Sequence, residues 1–372
     1  MDANMEQSLA LTSDLDQELT ECLAQPGQDT SIRGTDAAVE RLAPPDAAAS
    51  QAHAALMTVA VEEAALVQTQ ESGAVPGEAY RLVQKLGALE SRYQERDVTD
   101  KPYDQLVDIA VITSPTQNQP PPGNFEELRN RSLQELETQT LMERLGPHRT
   151  VPHADEGGPD KVPADLYIAK DPDKAQVILE NGGAAVFMLD SERSRRFESD
   201  PEKVQAQLPL SVAFDADKVF VHRSDDDRSQ AWNAEMGRER GLQHWKSWQM
   251  DHADQDPGPG PLAPVMEKFM DMKKVMGGSD AVQVNVITAR FAEGAERLLH
   301  RLDGMGLRQD PENSLNALIM TGGHPKVPLV KALGADVLFD DHPKNFIDPV
   351  DGTIMPHAAQ VPVPGEGPNE AL

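Results

Sequence analysis

Short apolar runs separated by polar, turn-rich stretches recur along the chain from residue 106 onward. Each run is rich in Val, Ile, Leu or Ala, a composition typical of buried parallel strands. Helix-like sequence lies between some of them, as in DPDKAQVILEN at 171–181. This alternation predicts an open α/β sheet. The predicted strands are LVDIAVIT (106–113), ADLYIA (164–169), GAAVFML (183–189), LSVAF (210–214), VQVNVIT (282–288), ALIMT (317–321) and ADVLF (335–339).

The first 104 residues differ in composition, being rich in Ala, Glu, Gln and Asp and poor in strand formers. Apolar residues recur at helical spacing over 77–96, and further helices are expected at 5–24 and 50–70. A helix that begins at Phe125 is also expected at 125–145, after the first predicted strand. Residues 1–104 are therefore expected to form a helical or partly disordered acidic extension.

The interval between the predicted strands at 210–214 and 282–288 is roughly seventy residues, far more than a crossover helix requires. It contains a Trp-bearing helical stretch and the breaker DPGPGPLAP, which predicts a helical cap inserted at about 222–277. The cap would belong to a catalytic core at 201–358. An upstream α/β subdomain is expected at 105–200. Residues 359–372, which are polar and rich in proline, are expected to form a flexible tail.

The net charge and composition of the chain limit the classes of binding partner that we expect. The chain has 34 basic and 62 acidic residues, a net charge of −28, which disfavours binding to nucleic acid and to anionic membranes. Cys22 is the one cysteine, and the chain contains no apolar run near the ~18 residues that a membrane helix needs. A cytoplasmic protein that acts on a small molecule is expected, and the N-terminal helices could support a homo-oligomer.

The strongest chemical signal is VAFDADKVF, where an apolar strand is followed by Asp215 and Asp217. Reactive groups in open α/β sheets gather beyond the carboxyl ends of the strands. Two carboxylates held together repel one another unless one is protonated or both share a cation, and Mg²⁺ prefers oxygen ligands. Taken alone, the Asp-x-Asp pair favours a structural turn or helix cap.

Three further elements supply what phosphoryl transfer requires, and two of them follow predicted strands. Thr288 ends VNVIT and offers a hydroxyl donor, and Lys326 in GGHPK offers a cation. Asp340 and Asp341, which end VLFDD, are candidate metal ligands.

This order of motifs resembles the four-motif signature of the haloacid dehalogenase (HAD) superfamily. The resemblance implies a Rossmann-like parallel sheet of the HAD type, with Asp215 as the nucleophile that forms an aspartyl-phosphate. It also implies that Asp217 is the general acid and base, and that Thr288 and Lys326 hold the phosphoryl group. The implied Mg²⁺ ligands are Asp215, Asp217 through its backbone carbonyl, Asp340 and Asp341.

Several longer stretches are similar to the cytosolic type I 5′-nucleotidase family and its bacterial relatives. They lie at 164–189, 241–269, 286–290 and 322–342. The similarity implies Mg²⁺-dependent hydrolysis of nucleoside 5′-monophosphates, with AMP as a typical substrate. Lys218 is a departure, because family members usually carry a small residue after the second Asp.

Two other residues have alternative interpretations. Arg290 could contact phosphate or ribose, or form a salt bridge with a neighbouring acid, and Trp245 could stack on a purine or pack within the cap. The acidic run at 225–227 is expected to be solvated cap surface. Two other functions stay open: a phosphatase for another small phosphate ester, and a catalytically weak HAD-like protein that serves assembly.

Overall fold

The computed structural model describes residues 55–70, 73–96, 101–113, 125–152, 163–191, 207–292, 295–307 and 314–363. All of these lie within one compact unit, residues 52–372. The helix predicted at 5–24, Cys22 and the end of the predicted tail at 364–372 lie outside the described residues.

Twelve strands and nine helices form in the described residues. The strands are β1 Ala55–Glu62, β2 Val67–Gln70, β3 Gly73–Pro76, β4 Gln105–Thr113, β5 Arg149–Pro152, β6 Leu166–Ala169, β7 Ala185–Met188, β8 Leu210–Phe214, β9 Val282–Thr288, β10 Ala317–Met320, β11 Val337–Asp340 and β12 Ala358–Gln360. The helices are α1 Glu63–Leu66, α2 Tyr80–Glu95, α3 Phe125–Glu143, α4 Pro172–Glu180, α5 Ser224–Met236, α6 Arg238–Asp251, α7 Ala263–Met276, α8 Glu296–Gly304 and α9 Val327–Leu333. The seven predicted strands and the helices predicted at 77–96 and 125–145 are confirmed.

A ten-stranded sheet in the order β10-β9-β8-β11-β12-β7-β6-β1-β4-β5 organises the molecule, and β2 and β3 form a separate antiparallel pair. The first five strands in this order are parallel to one another, and so are the last five. The two halves meet where β12 pairs antiparallel with β7. The predicted α/β fold with a mostly parallel, Rossmann-like sheet of the HAD type is confirmed.

The central strands are buried on both faces, which explains their uninterrupted apolar sequence. All five residues of β8 are buried, and their neighbours in β9 and β11 are nearly all buried too. Helix α2 contacts β4 and β8, and α7 contacts β1 and β9, so each of these helices contacts strands of both halves. The larger apolar core therefore spans both halves of the sheet, and a second, smaller core packs around α9.

The prediction of a helix at 50–70 is wrong for most of its length. Residues Ala55–Glu62 form β1, which pairs in parallel with β4 on one side and β6 on the other. The stretch is rich in alanine, which favours helix in isolation. Its Leu, Met and Val side chains are nevertheless better buried between two neighbouring strands, and this tertiary pairing decides the conformation.

The prediction of a flexible tail is wrong for residues 359–363. Strand β12, Ala358–Gln360, is fully inserted in the sheet between β11 and β7. Val361 and Val363 beyond it are buried as well. The short apolar sequence AAQVPV is weak evidence for a strand by itself, and it becomes one because both neighbours supply hydrogen-bonding partners.

The long insertion after β8 has two parts. Helices α5 and α6 pack on one another, with Gly237 between them at a φ of 81°. Helix α7 buries an apolar face against the sheet, so it serves as the crossover helix to β9. The ranges proposed above for separate domains and for the cap remain predictions. Within the described ranges, the helices are too short or too polar to cross a bilayer.

Candidate functional site

The carboxyl ends of β9, β8 and β11 lie side by side, because these strands are adjacent and parallel. Phe214 of β8 is in register with Val286 of β9 and with Phe339 of β11. The backbone amide of Asp215 continues this pairing and donates to the Phe339 carbonyl at 2.8 Å. The polar residues that follow these strands are thereby brought to one edge of the sheet.

A cluster of three carboxylates forms at this edge. One oxygen from each of Asp215, Asp340 and Asp341 lies within 4.8 Å of the others. The Asp215 and Asp340 residues are 5% and 0% exposed, so solvent screens their charges poorly. Three of the four residues that the family resemblance implies as metal ligands are therefore close enough for their side chains to share one ion.

Lys326 is the cation that sits against this cluster. It precedes α9, after a turn in which Gly322 and Gly323 both have positive φ. Its Nζ lies 2.8 Å from Asp215 Oδ2 and 2.7 Å from Asp340 Oδ2, and the residue is fully buried. Burial favours the neutral amine, but the charges of the two carboxylates raise the pKa of Lys326 above its usual range. Lys326 is therefore charged at neutral pH.

The cluster carries more negative charge than Lys326 can neutralise. Burial, with further repulsion from Asp340 and Asp217, raises the pKa of Asp215 to about 7 despite the attraction of Lys326. Burial, with the charges of Asp340 and Asp215, likewise raises the pKa of Asp341 well above its usual range. Close buried carboxylates with unbalanced charge and oxygen-only donors fit a hard divalent cation.

The second carboxylate oxygen of Asp340, Oδ1, is bound by two groups that were not predicted from the sequence. Asp340 Oδ1 accepts hydrogen bonds from the His342 backbone amide at 2.9 Å and from Asn345 Nδ2 at 2.8 Å. With Lys326 on Oδ2, both oxygens of Asp340 are fixed in orientation. The carboxylate is thus preorganised before any ligand binds.

Two threonine residues end neighbouring strands beside the cluster. Thr288 at the end of β9 is fully buried, and its Oγ1 accepts from the Arg290 backbone amide at 3.2 Å. The Thr321 amide, just after β10, donates to the Thr288 carbonyl at 2.8 Å. Thr321 Oγ1 is buried and has no hydrogen-bond partner in the described part of the chain. Thr321 was not among the site residues predicted from the sequence, although its position at the end of a predicted strand indicated a place at the same edge of the sheet.

The side chain of Asp217 is directed to Arg290 and lies outside the carboxylate cluster. Arg290 Nε donates to Asp217 Oδ2 at 2.9 Å, and its NH2 group donates to Oδ1 at 2.5 Å. The Asp217 side chain is 22% exposed, whereas that of Arg290 is 1% exposed. Of the two interpretations of Arg290, the structure contains the salt bridge to a neighbouring acid.

The expectation that the acidic run at 225–227 is solvated is wrong for Asp225, which is fully buried. Asp225 accepts hydrogen bonds from Arg290, Arg297 and Gln249. Burial acts to raise its pKa, but the hydrogen bonds from Arg297 and Gln249 and the charge of Arg290 lower it overall. The three Asp residues have identical local sequence character, so only the tertiary packing of α5 distinguishes Asp225.

Lys218 lies near the carboxylate cluster and also lines a cavity. Lys218 Nζ is 2.9 Å from Asp226 Oδ2 and 3.8 Å from Asp341 Oδ2. Lys218 also lines a cavity of about 240 Å³, together with Leu179, His222, Pro259, Pro261 and Val363 among others. Lys218 therefore links the cavity to the carboxylate cluster.

Trp245 is buried in α6 on the face that also presents Gln249. Its indole Nε1 has no hydrogen-bond partner among the residues that the structure describes. Stacking of this residue on a purine remains a prediction.

The sheet and the carboxylate edge together define an α/β protein of the HAD type. The sequence profile of the family described as 5'-nucleotidase matches residues 63–364, and the chain belongs to this family. Among curated proteins, cytosolic 5'-nucleotidase 1B of Homo sapiens is 27% identical over 183 residues, which is 48% of this chain. The matched segment is 26% of that relative, so this chain spans about a quarter of its length.

Proposed function

We propose that this protein is a Mg²⁺-dependent 5′-nucleotidase that hydrolyses nucleoside 5′-monophosphates to nucleoside and phosphate. The observation that carries the proposal is the convergence of Asp215, Asp340 and Asp341 within 4.8 Å, with the buried Lys326 amine against two of them. Such a site suits a phosphate ester, because it combines a carboxylate nucleophile with groups that offset the substrate's negative charge.

In the first step a carboxylate oxygen of Asp215 attacks phosphorus, and the bond from phosphorus to the ester oxygen breaks. Asp217 in its protonated form gives its proton to the leaving oxygen, which departs as the nucleoside hydroxyl. The product on the protein is an aspartyl-phosphate at Asp215. Lys326 and the Thr288 hydroxyl would hold the transferring phosphoryl oxygens in place.

In the second step a water molecule attacks phosphorus of the aspartyl-phosphate. Asp217, now ionised, takes a proton from this water, and the acyl-phosphate bond breaks. Phosphate leaves and the carboxylate of Asp215 is restored. Asp217 thus serves as acid and then as base within one turnover.

The residues that would hold the cation are Asp215, Asp340 and Asp341, with the backbone carbonyl of Asp217. When bound, Mg²⁺ neutralises charge on the phosphoryl oxygens and orients the substrate for attack. The raised pKa values of Asp215 and Asp341 support this assignment, because burial and the charges of the neighbouring acids outweigh the attraction of Lys326 and Lys218.

The proposed substrate class is supported by the family of the chain and by the activity that the name of its human relative states. The cavity of about 240 Å³ beside Lys218 is a candidate location for the nucleoside, because Lys218 links it to the carboxylate cluster where phosphate would bind. Another small phosphate ester is the second candidate, since the phosphate-binding groups do not depend on the identity of the leaving alcohol.

Phosphate release from purified protein tests this proposal. The panel should contain AMP and other nucleoside monophosphates, ribose 5-phosphate and 4-nitrophenyl phosphate, each with Mg²⁺ and with excess chelator. We expect Mg²⁺-dependent release from the nucleotides and a loss of about 10³-fold or more in kcat for Asp215→Asn. Asp227→Asn, whose parent side chain is exposed and pairs with Arg223, is the matched control.

Each outcome distinguishes the candidates. Release from sugar phosphates but not from nucleotides would support the second substrate class. Equal rates for wild type and Asp215→Asn would reject the nucleophile, and no release from any ester would favour the assembly protein considered above.

A further inference from the structure

We propose that Arg290 and Asp225 are positioning residues that fix the carboxylate of Asp217 for proton transfer to the leaving group. The inference rests on the proposed function, in which Asp217 is the general acid. Residues of α5 and α6 belong to a buried network of hydrogen bonds and ion pairs, and this network orients the side chain of Asp217.

Arg290 connects three separate elements through one guanidinium group. It follows β9 and makes a two-point contact with Asp217 at 2.9 and 2.5 Å. Its NH1 group donates to Gln249 Oε1 on α6 at 3.2 Å, and its NH2 group also donates to Asp225 Oδ2 on α5 at 3.2 Å. A planar guanidinium held at several points cannot rotate without breaking hydrogen bonds, so Arg290 fixes the side-chain torsions of Asp217.

Asp225 in turn fixes Arg290. Its Oδ1 accepts from Arg297 NH2 at 3.0 Å, and its Oδ2 accepts from Arg297 Nε at 3.1 Å and from Gln249 Nε2 at 3.0 Å. The side chains of Asp225 and Arg297 are 1% and 5% exposed. Buried charges of this kind must be paired, so removal of one charge disturbs every partner.

The network is balanced in charge, with two arginines against two carboxylates. Because Arg290 has Asp225 as a second anionic partner, the guanidinium stays paired when Asp217 carries the proton that it will donate. Each carboxylate oxygen of Asp217 also has a second lone pair while the first accepts a hydrogen bond from Arg290. That second lone pair can carry the proton that passes to the leaving oxygen. The network can therefore orient Asp217 through a turnover.

This arrangement predicts a dependence on the leaving group. An alkoxide such as a ribose 5′-oxygen is a poor leaving group and requires a proton from Asp217, whereas 4-nitrophenolate departs without one. Misplacement of Asp217 should therefore slow the first step, which kcat/KM reports, far more for the first kind of substrate than for the second. The second step acts on the same aspartyl-phosphate whichever substrate formed it, so it does not distinguish them. A general loss of folding or of phosphate binding would slow both kinds equally.

The test compares kcat/KM of four proteins on AMP and on 4-nitrophenyl phosphate, because kcat/KM covers the step that releases the leaving group and not the shared hydrolysis of the aspartyl-phosphate. Thermal unfolding is the measure of folding. The proteins are the wild type, Asp217→Asn, Asp225→Asn and the control Asp227→Asn, which alters an exposed neighbour on the same helix. We expect Asp225→Asn to lower kcat/KM on AMP by about tenfold to a hundredfold. Its kcat/KM on 4-nitrophenyl phosphate should stay within about threefold of the wild type, and Asp227→Asn should match the wild type on both.

Asp217→Asn separates failure of the inference from failure of the proposed function. If it lowers kcat/KM on both substrates equally, the general-acid role itself is wrong. If it slows AMP selectively while folded Asp225→Asn does not, the positioning role is overturned. Should Asp225→Asn not fold, Gln249→Met replaces it, because this variant removes contacts to Arg290 and Asp225 without a change in charge. The same selective loss on AMP is then expected, and equal rates would overturn the proposal.

Discussion

At the scale of single residues, Lys326 is a cation placed where several acids would otherwise repel one another. Its amine is fully buried and contacts Asp215 at 2.8 Å and Asp340 at 2.7 Å. Loss of one partner from a buried ion cluster typically costs about 3–5 kcal/mol, because the remaining charges stay desolvated. Lys326 therefore stabilises the fold as well as the site.

Replacement of this lysine should make the protein more dependent on a divalent ion for stability. In chelator, we expect Lys326→Gln to have a lower midpoint temperature of thermal unfolding than the wild type. On addition of Mg²⁺, this midpoint should rise further in the variant than in the wild type. The physical reason is that the bound ion supplies the positive charge that the variant lacks. Differential scanning fluorimetry with and without Mg²⁺ measures both quantities.

Lys331→Gln is the control, because this lysine lies on α9, which Lys326 precedes, but its side chain is 47% exposed and pairs with Asp348. An identical response to Mg²⁺ in the wild type and in Lys326→Gln would contradict the prediction.

At the scale of elements, the packing of α2 depends on a close approach of two backbones. A Cβ atom built at Gly87 of α2 would lie 2.0 Å from the Leu145 carbonyl oxygen and 3.1 Å from its carbonyl carbon. Gly146 on the facing segment has a φ of 85°, so that segment also depends on glycine. Helix α2 therefore sits at its present distance only because position 87 has no side chain.

Substitution of this glycine should destabilise the protein although alanine favours helix. For Gly87→Ala we expect a loss of about 1–3 kcal/mol in the free energy of unfolding, because α2 or residues 145–146 must move apart. Gly304→Ala in α8 is the matched control, since its nearest neighbour, Asp256 Oδ2, would be 4.0 Å away. That variant should be neutral or more stable by up to about 1 kcal/mol. Equal effects of the two substitutions in chemical denaturation would refute this account of α2.

At the scale of the whole molecule, the two halves of the sheet are joined by a segment from the end of the chain. His357 immediately precedes β12, has a φ of 57° and is 3% exposed. Its Nδ1 donates to the Glu78 carbonyl at 3.1 Å, just before α2. Burial, which outweighs the remaining influences, lowers the pKa of His357 to about 4.

This histidine should make the joined sheet sensitive to mild acid. Its pKa in the unfolded chain is near 6.5, so between pH 6.5 and 4 the unfolded state binds a proton that the folded state does not. Stability from this source is complete above pH 6.5 and is lost as pH falls. At pH 5 the loss relative to pH 7 should be about 2 kcal/mol.

Urea denaturation of the wild type and of His357→Asn at pH 7 and pH 5 measures this loss. Asparagine tolerates positive φ and does not titrate, so the variant should lose less stability than the wild type over this interval. The same loss in both proteins would show that other groups are responsible.

Local sequence determined the features that depend on adjacent residues. An apolar strand followed by an acid or a threonine predicts both the strand and the polar group at its end, and this holds for Asp215, Thr288 and Asp340. Lys326 in GGHPK was also a candidate cation from the sequence, and the structure brings it against the same carboxylates. The catalytic roles of these residues remain predictions.

The pairing of segments far apart in the chain depends on tertiary packing. Residues Ala55–Glu62 form a strand because β4 and β6 flank them, and Ala358–Gln360 do so because β11 and β7 flank them. Asp225 and Asp227 have the same local character, yet one is buried against two arginines and the other is exposed. Burial and pairing of this kind depend on contacts between residues far apart in the chain, which local composition and periodicity do not encode.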